Sequence, residues 1–79
     1  MRVTVLEFIE DANEFTDAAE IKQVEAGAKA GTHAILRVKR DKEGKVVSVF
    51  AVSRLAPGSA DLPASQARNL IAIRKAKKA

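Results

Sequence analysis

Cysteine is missing from all 79 residues, so disulfides, thiolate metal sites and cysteine nucleophiles are excluded. Tryptophan and tyrosine are missing too, and only three phenylalanines are present. That scarcity limits how much area each core side chain can bury. It also removes the aromatic platforms on which single-stranded nucleic acids stack. No apolar run approaches the length of a membrane span. The opening Arg2-Val3-Thr4-Val5 does not have the pattern of a secretory signal. No glycine-rich phosphate loop occurs: Gly27 and Gly31 fall at the end of a predicted helix, the wrong end for an anion. These absences predict a soluble cytoplasmic protein with no cofactor, no metal and no small-molecule substrate.

The length fits one small α+β domain, residues 1–79. Much of its apolar content is alanine, so stability is modest or aided by self-association. Charge is distributed unevenly. Residues 1–32 hold three Lys/Arg against seven Asp/Glu, a net of −4; residues 33–79 hold eleven against three, a net of +8. This asymmetry is the main functional clue in the chain.

Residues 33–55 carry the clearest structural signal. Two runs rich in β-branched residues flank Asp41-Lys42-Glu43-Gly44, which predicts a β-hairpin. A type I turn with left-handed Gly44 sets Asp41 opposite Lys45. Counting back, Val38 faces Ser48, Leu36 faces Phe50, Ala34 faces Val52 and His33 faces Ser53. Leu36 and Phe50 form the largest apolar pair, so their face is predicted to be the core side. The other face then leaves Ile35, Val47 and Val49 exposed beside Arg37 and Lys39.

Elsewhere, residues 2–9 predict a strand ended by the polar run 10–14. A helix over 17–30 follows, with Thr16 as N-cap, Gly31 as its stop and Gly27 as a weak point. Pro57-Gly58 predicts a turn within a loop over 56–62, and Pro63 can open a second helix over 64–77 with a fraying basic end. The expected order is β-α-β-β-α: a three-stranded mixed sheet with two helices packed on one face.

Catalytic signals are weak. His33 beside Ser53 imitates a nucleophile pair, but no carboxylate is placed to orient it and no oxyanion loop is visible. Asp11-Ala12-Asn13 imitates the start of a calcium loop, yet Phe15 takes the next ligand position and Thr16 the required glycine. The residues therefore predict a non-enzymatic protein-interaction or regulatory module. It would bind a protein partner, or itself as a homodimer, through Ile35, Arg37, Lys39, Val47 and Val49. The alternative is a nucleic-acid-binding module. Arg37, Lys39, Arg40, Lys42 and Lys45 would join Arg74, Lys75, Lys77 and Lys78 in contacting phosphates. The size also suits an accessory regulator of a phage or mobile element.

Overall fold

A computed structural model describes residues Met1–Ala79. It contains two helices and six strands: β1 (Arg2–Val5), β2 (Ile9–Phe15), α1 (Ala18–Ala30), β3 (His33–Arg40), β4 (Val46–Leu55), β5 (Gly58–Asp61), α2 (Ala64–Ala72) and β6 (Ala76–Lys78). The strands form two three-stranded sheets, ordered β5-β1-β6 and β2-β4-β3. Every pairing is antiparallel. The single mixed sheet and the β-α-β-β-α order are therefore corrected, as is the parallel crossover they implied. Neither helix is long and apolar enough to cross a membrane.

The correction begins with the acidic run. Glu10 to Glu14 does not end a strand but forms most of β2. Ile9, Asp11, Asn13 and Phe15 point inward, while Glu10, Ala12 and Glu14 point outward, the period-two alternation of a half-buried strand. Inward Asp11 is tolerated because Asn13 Nδ2 and Gln66 Nε2 donate to its Oδ2 at 2.7 and 3.2 Å. The break falls earlier, at residues 6–8, between β1 and β2.

The C-terminal third differs for similar reasons. The predicted loop contains β5, which pairs with β1. The second helix stops at Ala72, and Arg74 turns the chain with a φ of 62°. Lys77 and Lys78 then lie in β6, paired with β1, and not on a frayed helix end. Two tertiary restraints hold this edge: Ala76 is buried, and Leu6 N donates to Lys75 O at 3.0 Å.

The first helix agrees with expectation apart from its cap. Asp17, not Thr16, is the N-cap, accepting from Ala19 N and Glu20 N. Glu20 in turn accepts from Ser65 N at 2.8 Å and Ser65 Oγ at 2.7 Å, satisfying the start of α2, whose own cap, Pro63, supplies no side-chain bond.

The hairpin turn forms as predicted. Gly44 sits at φ 81°, and Asp41 N donates to Lys45 O at 2.9 Å. Two bulges then act on the ladder, one at Val47 and one at Leu36. Between them the register moves by one residue, so Arg37 faces Phe50, Val38 faces Val49 and Lys39 faces Ser48. Beyond Leu36 the second bulge cancels the first, and Ala34–Val52 and His33–Ser53 pair as expected.

The core lies on the face opposite to the one predicted. Val49 and Ala51 are buried under α1 with Phe15, Ile21 and Val24. A second apolar cluster joins Val3 and Val5 to Leu62, Ala67 and Leu70, and takes in Ile9 and Leu55 from the far ends of β2 and β4. Leu36, expected at the core, is 61% exposed. The pairing of β4 with β2 decides this. It sets Phe15 beside Val49 and Ile9 beside Leu55, which outweighs the Leu36–Phe50 face.

Candidate interaction surface

Between the two apolar clusters runs a buried polar seam. Gln66, fully buried on α2, donates from Nε2 to Ser53 Oγ at 2.8 Å as well as to Asp11. Its Oε1 lies 3.2 Å from His33 Nε2. Because Oε1 only accepts, the His33 proton sits on Nε2, an assignment made from the network. His33 Nδ1 lies 3.1 Å from Thr32 Oγ1, and the ring meets Phe15 edge-on with centroids 6.5 Å apart. No buried side-chain nitrogen or oxygen is left without a partner. The seam therefore reads as a closed structural network. The His33–Ser53 pairing seen in the sequence is real, but the two side chains are joined through Gln66, and Ser53 is 1% exposed. The Ser53 hydroxyl is therefore not turned toward solvent.

The acidic residues do not converge either. Asp11 points into the seam, Asp17 caps α1, and Glu7 pairs with Lys75 at 3.8 Å. Glu10 and Glu14 lie on the outer face of β2, and no group of three or more metal-ligating side chains is assembled.

The five residues predicted to form an interaction patch are not brought together. Val49 is buried under α1, and Ile35 is half-buried against the same cluster. Val47 sits at a bulge, 43% exposed. Arg37 and Lys39 are exposed but, through the register shift, lie on the opposite face with Phe50 and Ser48.

The basic residues of the alternative reading are also divided. Arg40, Lys42 and Lys45 lie at the hairpin tip, whereas Arg74, Lys75, Lys77 and Lys78 lie beside or within β6. Val46, the tip end of β4, is nine residues from Leu55, which enters the cluster holding Ala76. That strand length is roughly 30 Å. The molecule measures 41 × 21 × 16 Å, so the two basic groups occupy opposite ends of its long axis. At a Debye length of about 8 Å they act as separate patches and not as one phosphate-binding face.

What the chain leaves open is the outer face of β2-β4-β3. Both helices pack on inner faces. Across the outer face the ladder sets three rows: Glu10–Arg54, then Ala12–Val52–Ala34, then Glu14–Phe50–Arg37. Leu36 projects at its bulge and shares a shallow hollow of about 420 Å³ with Ala34 and Val52. A smaller hollow of about 100 Å³ joins Glu14, Arg37, Lys39, Ser48 and Phe50. The Arg37 guanidinium lies 5.3 Å from the centre of the Phe50 ring. The face thus has an acidic edge on β2, an apolar centre on β4 and a basic edge on β3.

Sequence reasoning missed Glu10, Ala12 and Glu14 as part of this face. Their alternation with Ile9, Asp11, Asn13 and Phe15 was the available signal, hidden because two inward positions are polar. No protein family, curated protein or solved structure matches the chain.

Proposed function

We propose that this chain is a small non-enzymatic interaction module that pairs with a second copy of itself through the outer face of β2-β4-β3. The observation that carries this reading is an apolar row, Ala12–Val52–Ala34, with Leu36 beside it 61% exposed and no element of the chain laid over it. An antiparallel sheet can face water on one side, but that side is then usually polar. Here its centre is aliphatic.

The face is small. Three strands at ~4.8 Å spacing and seven residues at ~3.4 Å give a footprint of roughly 14 by 24 Å. That is roughly 340 Å² a side, below the ~1,200 Å² total of stable specific interfaces, so the dimer is expected to be weak and reversible, with a dissociation constant on the order of 1–100 μM. The nucleic-acid reading gains no comparable support, because its two basic groups lie far apart.

Sedimentation velocity tests the proposal. The 8.5 kDa chain should show reversible dimerisation across the micromolar range. Val52→Glu, which places a charge at the centre of the face, should be monomeric with its fold intact by circular dichroism. A wild-type protein that stays at one chain mass, or a dimer indifferent to Val52→Glu, contradicts it.

A further inference from the structure

The geometry points to one arrangement of that dimer: a two-fold axis running along the strands over β4, so that Glu14 of each copy meets Arg37 of the other. This inference rests on the self-association reading and adds its register.

The argument starts from symmetry. Face-to-face packing of two identical sheets admits two simple two-fold axes in the plane between them. One runs across the strands and places β2 over β2. Glu14 and Glu10 of one copy then approach Glu10 and Glu14 of the other, a like-charge juxtaposition on the acidic edge. The other axis runs along the strands and exchanges the edges, placing β2 of one copy over β3 of the other. The acidic edge then covers the basic edge twice, once on each side of the axis.

Register makes this specific. Glu14 and Arg37 are both paired with Phe50, so they stand in the same cross-strand row. A rotation about an axis along β4 keeps each row at its own height. Glu14 therefore lands over Arg37, Ala12 over Ala34, and Val52 and Phe50 over their own copies. Aligned sheets pack about 10 Å apart with a twist near −30°, a gap that a glutamate and an arginine span.

Both groups are free to pair. Neither Glu14 nor Arg37 belongs to any of the chain's three ion pairs, and both are exposed. They flank Phe50 from either side, with the Arg37 guanidinium resting against its ring, so both charges stand at the rim of the face where an opposing copy can reach them. Arg54, which falls on the axis, has Glu10 of its own copy at 3.7 Å to offset its charge.

A mixing experiment tests the arrangement. Glu14→Arg places cation over cation twice in its homodimer, and Arg37→Glu places anion over anion twice. Each variant alone should dimerise at least roughly tenfold more weakly than the wild type in about 0.15 M salt. Mixed in equal amounts they should form a heterodimer at near wild-type affinity, because both interfacial pairs are then of opposite sign. The double variant Glu14→Arg/Arg37→Glu should recover the homodimer. Native mass spectrometry at matched concentrations reads all four. A tighter Glu14→Arg dimer would select the crossing axis and overturn the proposal, as would a mixture no more associated than its components. If Val52→Glu abolishes dimerisation while the mixture stays monomeric, the face stands and the register falls. If the wild type is monomeric, both fall.

Discussion

Gly27 on α1 faces the imidazole of His33 so closely that a Cβ at that position would overlap Nδ1 and lie 2.9 Å from Thr32 Oγ1. Helix propensity alone says that alanine improves this position by up to about 1 kcal/mol. The contact reverses the sign. His33 is held by Gln66 on one side and Thr32 on the other, so displacing its ring costs at least one of these contacts. Gly27→Ala is expected to cost about 1–3 kcal/mol, the range for overpacking, as measured by urea titration. A stabilised variant would show that the seam yields easily.

Gln66 ties α2 to all three strands of β2-β4-β3 through Asp11, Ser53 and His33. Gln66→Leu keeps most of the volume and removes every hydrogen bond. Each buried group left bare costs about 1–3 kcal/mol. In a domain this small that approaches total stability. Thermal unfolding is expected to show a large drop in midpoint; an unchanged midpoint would mean water replaces the amide freely.

The position of the core makes opposite predictions for two large apolar residues. Phe15 is 1% exposed, and Phe15→Ala should cost about 3–5 kcal/mol. Leu36 is 61% exposed, and Leu36→Ala should change monomer stability by less than about 0.5 kcal/mol while weakening dimerisation. Denaturant titration at low protein concentration separates the two effects.

Truncation after Ile73 distinguishes a strand from a soluble tail. It removes β6 and buried Ala76, leaving the β5-β1-β6 sheet with two strands. A loss of at least about 1 kcal/mol is expected, a shift of about 4–8 °C in melting temperature for a domain of this size. No shift would return residues 74–79 to the role of a solubilising end.

The locally encoded parts of the fold were legible in the sequence. The hairpin turn followed from Asp41 and Gly44, and the first helix from its stripe and Gly31. The His33–Ser53 pairing followed from counting back along the ladder. What could not be read depended on partners distant in the chain. Asp11 and Asn13 look like loop residues until Gln66, 55 residues beyond Asp11, supplies hydrogen bonds to the seam. Ala76-Lys77-Lys78 has the composition of a helix end until β1 offers it an edge. The two bulges add one residue to each hairpin strand, and neither has a glycine to mark it. For the candidate site, Arg37 and Lys39 are exposed, but the register shift places them on the face opposite to the one the sequence predicts. Their neighbours there are Phe50 and Ser48, both on the face that the sequence pattern predicts to be the core side.

The central claim is that the outer face of β2-β4-β3 meets its own copy. The most direct measurement is an isotope-filtered nuclear Overhauser experiment on a mixed sample of labelled and unlabelled chains at about 1 mM, tenfold above the weak end of the proposed range. Cross-peaks are expected from the Val52 methyls of one copy to Val52, Leu36 or Phe50 of the other. Intermolecular cross-peaks only from exposed apolar residues elsewhere, such as Phe8 or Ile73, or none at all, would contradict the account.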